Sequence, residues 1–353
     1  MREGSSDRGS PALIQLDWNI ARAGWTVVML LLGLLPGLAI AESDSAEPWW
    51  PSAWGPDDQL GALNQHAPAN VLEAARLIRV GRIVDMAQTI TQDIPTFHKY
   101  KMTLTGGPDM QPLGSNRAVY NGEQLEGRMT AVGTQFDSLG HVGRALGADG
   151  DASSIRYYNG FRHSDIAGPE GFKKLGVEQV PPIFTKGIMV DLAAFKGRNL
   201  VEGEEISIAD LEGALAAQGM SKDDIQPGDA FFFHTGFGRF WDTVKHGKAY
   251  MLGTPGFTEA AAHWLADRGV IAVGGDQPAL EPTHRKTTDR MAPTDEKVGP
   301  IHQIFLLERG VYVFENLRLE TLAREKRYRF AFSFGAIPIA GANASMARPF
   351  AIY

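Results

Sequence analysis

The sequence predicts an α/β or α+β layered body, and three observations lead there. Apolar strand-like runs alternate with capped helical segments between residues 187 and 276. The chain has 353 residues, 44% of them hydrophobic and 21% charged, a globular composition with ample core. No linker-like Ser/Pro/Gly stretch divides the region after residue 41, so residues 42–353 are expected to form one domain.

The elements follow in order. Residues 42–64 are rich in Trp and Pro, with Trp49, Trp50 and Trp54. Asn70, with Glu73 three residues later, can cap a helix that Gly81 closes. Residues 82–90 are strand-like, and 96–130 are polar with scattered glycines, hence loops or a hairpin. GIMVDLAAF at 187–195 is expected to be a buried strand. Ser207 and Asp210 start a helix ending at Gly219, and AFFF at 230–233 is a strand running into His234-Thr235-Gly236. A helix over 258–268 stops at Gly269, and VIAVGGD at 270–276 is another buried strand. Residues 311–317 and 328–334 complete the expected strands.

Composition excludes several chemistries. With no cysteine there is no disulfide scaffold, Cys-ligated metal cluster or thiol nucleophile. A net charge of −7 argues against a nucleic-acid partner, whose binding needs Lys and Arg on phosphates. The glycines of 104–114 lack a P-loop Lys, and no Gly-x-Ser-x-Gly elbow occurs.

Residues 23–41 carry no charge, follow Arg22 and end in Ala39-Ile40-Ala41. That order is expected of a signal peptide over 1–41, cleaved after Ala41, with a periplasmic or secreted product. If uncleaved, the same 19 residues can just span a bilayer as an anchor.

The segment Ala131-Val132-Gly133-Thr134-Gln135-Phe136-Asp137-Ser138-Leu139-Gly140-His141 stands out. In an extended strand, Gln135, Asp137 and His141 share one face, so an amide, a carboxylate and an imidazole converge. That set suits a hard metal or acid–base work, and equally a polar strand edge with a structural Asp. A second set is His302 and Glu315. A carboxylate ending the apolar strand VYVF is costly to bury unless paired or metal-bound, and pairing with Arg318 would also satisfy it.

Together these segments resemble the cyclase family of metal-dependent hydrolases, which includes kynurenine formamidases and isatin hydrolase. The family motif H-x-G-T-H-x-D-x-P-x-H reads here as A-V-G-T-Q-F-D-S-L-G-H. Gly133, Thr134, Asp137 and His141 match; Ala131, Gln135 and Leu139 depart. WGPDDQLGALN at 54–64, RIVDMAQTI, GDAFFFHTGFG, VGGDQP and the C-terminal stretch are similar to further family segments of its longer branch.

The resemblance implies a swivelling β/β/α fold with mixed sheets and flanking helices over 42–353. It implies one divalent metal, Zn²⁺ or Mn²⁺, on Asp137, His302 and Glu315, with Gln135 as a fourth ligand. His141 becomes the proton carrier, and Trp54, His98, Phe136 and Asp276 become candidate substrate contacts. The activity implied is an arylformamidase-like amidohydrolase (EC 3.5) acting on a small molecule, as a homodimer. Two alternatives stand beside it: a lyase or cyclase on a carbonyl substrate, and a catalytically silent ligand-binding protein. His234 is a candidate pocket wall, whereas His263, mid-helix beside Trp264, reads as packing or surface.

Overall fold

A nine-stranded mixed sheet organises the protein. The structure is a computed structural model that describes residues 48–95, 100–106, 111–130, 132–148, 150–241, 250, 253–284 and 297–353. Residues 1–41, with the expected export signal, lie outside the described residues, as do His98 and Ala131. Among the described residues no helix is long and apolar enough to cross a membrane.

Four strands, Ile183–Asp191, Ala230–His234, Ala272–Gly275 and Tyr312–Glu315, run parallel side by side. Their sequences are near-continuous apolar runs, as expected of strands covered on both faces. All four end at the same edge, which brings Asp191, His234, Asp276 and Glu315 to one rim. Antiparallel strands close both sides. Gln135–Asp137 pairs with Tyr312–Glu315 and with Ala344–Met346. Arg329–Phe334 pairs with Ile183–Asp191 and with Phe350–Ile352, which in turn pairs with Ile83–Asp85.

The sheet curls around a core of aromatic rings. Phe136, Phe232, Phe314, Phe332 and Phe334 lie with centroids about 5–6 Å apart, the spacing of tilted and edge-on pairs. On the opposite face Phe233 packs on Phe257 of the short strand Gly256–Phe257, which in turn packs on Phe305 of the helical segment Gln303–Glu308.

Local chemistry explains most boundaries. Ser207 and Asp210 form a reciprocal cap on the helix Ile208–Ala217, as their spacing predicts. Thr258 caps Glu259–Ala266. The expected strand at 187–195 instead starts at Ile183 and stops at Asp191. The Asp191 carboxylate accepts from Ala194 N, so Leu192–Lys196 becomes a helix, closed by Gly197 at φ 67°. The expected helix at 70–81 is observed at Pro68–Arg76. Asn70 there lies inside the first turn and bonds back to Ala67 N rather than capping. The strand expected at 82–90 is confined to Ile83–Asp85, and Ala344–Met346 and Phe350–Ile352 are strands the sequence reading did not foresee. Within 96–130 a hairpin does form, Lys101–Gly106 with Asn121–Glu126.

Candidate metal centre

Gln135 and Asp137 arrive on one strand and Glu315 on its neighbour, with Gln135 paired opposite Glu315 and Asp137 opposite Val313. Period-two alternation sends these polar side chains to the helix-covered face. Phe136, between them, points the other way and stacks on Tyr312, Phe314 and Phe334 with zero exposure. Phe136 is therefore a core residue, which corrects its reading as a substrate contact.

His302 comes from a helical segment, Pro300–His302, that continues into a widened turn at Gln303–Glu308. Such widened turns recur at functional sites. Pro at the first helical position is pre-organised for the start of a helix. The helix delivers His302 Nε2 to 3.0 Å from Glu315 Oε1 and 3.9 Å from Asp137 Oδ2. One ligand atom from each of Asp137, His302 and Glu315 lies within 4.8 Å of the others.

The electrostatics of this cluster are unusual. Asp137 and Glu315 are 0% and 4% exposed. Their polar neighbours are few: Gln135 Nε2 donates to Glu315 Oε2 at 2.7 Å and to both Asp137 oxygens at 3.3 Å. Burial first, and then the Asp137 charge, push the Glu315 carboxyl well above its ordinary range despite the His302 contact. Burial opposes a charged His302 imidazole, yet Glu281 and Glu315 outweigh it and hold its pKa well above the ordinary value. Two facing buried carboxylates with a ring nitrogen beside them form a donor set that fits a divalent cation.

His141 follows on a tight turn, with its N–H on Ser138 O. Its Nε2 lies 3.9 Å from Asp137 Oδ1 and its ring 6.2 Å from that of His302. His141 Nδ1 is buried and has no hydrogen-bond partner among the described residues.

The backbone behind the cluster is tied at Asn316, which adopts φ 56°. Its Nδ2 donates to Gly133 O at 2.8 Å, its Oδ1 accepts from Tyr250 at 2.6 Å, and its carbonyl accepts from Thr134 Oγ1 at 2.6 Å. Asn tolerates this left-handed conformation better than most residues. Gly133 is required for a second reason: at φ 77°, an added Cβ would sit 2.6 Å from Ile90 Cγ1.

The remaining sequence candidates lie apart from the three donors. Asp276 is fully buried, and its carboxylate accepts from Thr235 N, Thr235 Oγ1 and Gly238 N. It locks the 235–238 turn, so its expected role in substrate contact is replaced by a structural one. Trp54 is 42% exposed and lines a surface groove of about 520 Å³ with Tyr158, Arg268 and Arg309, away from the donor cluster. His234 bonds Asp191 through Nδ1 at 2.9 Å. Glu281, on His302 Nδ1, escaped the sequence reading altogether. Its only sequence signal is a carboxylate inside the apolar stretch Pro278–Pro282, a cost that burial makes explicit.

A curled mixed sheet with buried carboxylate and imidazole donors gathered beside the end of Tyr312–Glu315 defines an α/β protein with a candidate metal centre. The Cyclase family model matches residues 84–282. A crystal structure described as a novel cyclase is 30% identical, covers 85% of this chain and 96% of its own, and superposes with a TM-score of 0.71. The chain belongs to the Cyclase family. Its fold is also that of isatin hydrolase A from Ralstonia solanacearum, 19% identical over 81% of this chain and 97% of that one, with a TM-score of 0.53. Isatin hydrolase A from Labrenzia aggregata, bound to benzyl benzoate, is 16% identical over 76% and 93%, also with a TM-score of 0.53. No curated protein sequence matches the chain.

Proposed function

We propose that the protein is a metal-dependent amidohydrolase that cleaves the C–N bond of an aryl N-formyl amide or a cyclic amide with one Zn²⁺ or Mn²⁺ per chain. The observation that carries this reading is the convergence of Asp137, His302 and Glu315 donor atoms within 4.8 Å in a buried setting. When bound, such an ion supplies a water acidified toward neutral pH and a Lewis acid for the carbonyl oxygen. His141 is the proton carrier. Its Nε2 borders Asp137, which supports a ring that takes a proton from water on that side and passes it to the departing nitrogen. In balance, the water oxygen bonds to the carbonyl carbon, the C–N bond breaks, and the nitrogen leaves protonated.

Gln135 supports a single ion. It stands where the family motif has a histidine, and its amide N–H bonds occupy both carboxylates from that side. His98 remains a proposed substrate contact.

Two wider features belong to this reading. The uncharged 23–41 segment supports export from the cytoplasm. The hairpin Lys101–Gly106/Asn121–Glu126 exposes Leu104, Tyr120 and Leu125 at 67%, 65% and 51%. A two-stranded hairpin is marginal alone in water, which supports its packing on a second copy in a homodimer.

The test removes metal with a chelator, restores Zn²⁺ or Mn²⁺, and follows hydrolysis of isatin and of an N-formyl aryl amine by absorbance. We expect turnover of one of them to return with about one ion per chain. A protein that holds no metal at micromolar supply overturns the hydrolase reading and favours a silent binding protein. Metal binding with ring closure or elimination, and no hydrolysis, favours the lyase.

A further inference from the structure

A neutral histidine ligates a metal through Nε2 when its proton rests on Nδ1, and that tautomer is almost always held by an acceptor. At His302 the acceptor is Glu281. Its Oε1 and Oε2 lie 2.7 and 2.9 Å from His302 Nδ1. Oε1 also accepts the His302 main-chain N–H at 2.8 Å, so one carboxylate fixes both the ring and the backbone that carries it. Nε2 is thereby aimed at Asp137 and Glu315.

Glu281 is itself rigidly seated. It is 5% exposed. Its carbonyl accepts from Thr254 Oγ1 at 2.6 Å, and Thr254 and Thr283 exchange backbone hydrogen bonds at 2.9 and 3.0 Å. Gly256 lies so close that a Cβ there would meet the Glu281 carbonyl carbon at 2.2 Å. The 253–256 and 281–283 segments thus hold each other's backbone and seat Glu281, whose carboxylate bonds His302 N and Nδ1 and not the ligand nitrogen Nε2. A helix cap needs only the backbone contact. The paired contact to Nδ1 is surplus to capping and suits orientation of the ring.

We propose that Glu281 is the positioning residue that makes His302 a divalent-cation ligand, and that it sets the metal affinity of the centre. This rests on the reading of Asp137, His302 and Glu315 as a metal site. The Glu281→Gln variant keeps shape and volume but exchanges the carboxylate for a group whose amide can donate to Nδ1 and reverse the tautomer.

The experiment titrates Zn²⁺ alone against full-length wild type, Glu281→Gln and Glu281→Asp, in competition with a chromophoric chelator. Thermal melts of the metal-free proteins report folding. We expect Glu281→Gln to bind Zn²⁺ roughly 10–100-fold more weakly than wild type, the usual cost of losing such a partner. Glu281→Asp, which keeps the charge one methylene further back, should fall between the two and decides the matter should the Gln variant fail to fold. Wild-type affinity in whichever of these variants is folded overturns the proposal while leaving the metal site intact. A wild type that binds no Zn²⁺ overturns the metal-site reading as well.

Discussion

Replacing His234 with Gln gives the most direct check on how the strand-end rim is held together. His234 lies 8% exposed at the end of its strand. Asp191 accepts from its Nδ1 side at 2.9 Å, and Asp276 Oδ2 lies 3.9 Å from Nε2. Glu320 adds a further carboxylate nearby. Burial disfavours the charged ring, but these carboxylates outweigh it and raise the His234 pKa from 6.5 to about 9. That rise is worth about 3 kcal/mol at ~1.4 kcal/mol per pH unit. The folded pKa exceeds the unfolded one, so the contribution is fully present below pH 6.5. It is lost as pH rises through about 9. Denaturant unfolding of wild type and His234→Gln from pH 6 to 10 reads the difference directly, because other titrating groups are common to both. The gap should be about 3 kcal/mol at low pH and close over that window. A gap that stays constant from pH 6 to 10 would refute the charged-imidazole account of this rim.

Three other outcomes follow from the same structure. Asp137→Ala should abolish Zn²⁺ or Mn²⁺ retention, measured by elemental analysis after gel filtration; a full ion in the variant would sink the ligand assignment. His141→Ala should keep its metal and lose about 10²–10⁴ in kcat on the hydrolysed amide, since its proposed work is proton transfer. Phe136→Ala should lower unfolding free energy by about 3–5 kcal/mol through the cavity it leaves, although it sits between two site residues.

Much of the fold could be read from the sequence because local rules are strong there. The runs at 187–190, 230–233 and 272–275 are apolar on both faces and short, the pattern of buried strands. The start signal at Ser207 and the stop at Gly269 placed two helices. The failures occurred where a single side chain competes with a pattern. At Asp191 an apolar run continues, but the carboxylate caps a helix and ends the strand. The short strands at 344–346 and 350–352 are set by pairing with distant partners, which no local signal reveals.

The site was legible where motif spacing and strand alternation agree, at Asp137, and where a carboxylate ends an apolar strand, at Glu315. Phe136 was misread because proximity in sequence to two polar residues says nothing about facing them. Glu281 was missed because its partner is on a separate helix 21 residues away, and only tertiary structure brings the two together.

The pairing of Gln135–Asp137 against Tyr312–Glu315 has a consequence for how the protein matures. A slip of one residue would put Phe136 among the carboxylates and Asp137 among the aromatic rings. Correct register and an assembled donor set are therefore the same event. His302 and Glu315 also lie far from Asp137 along the chain, so the donor set exists only once those distant segments have folded against one another.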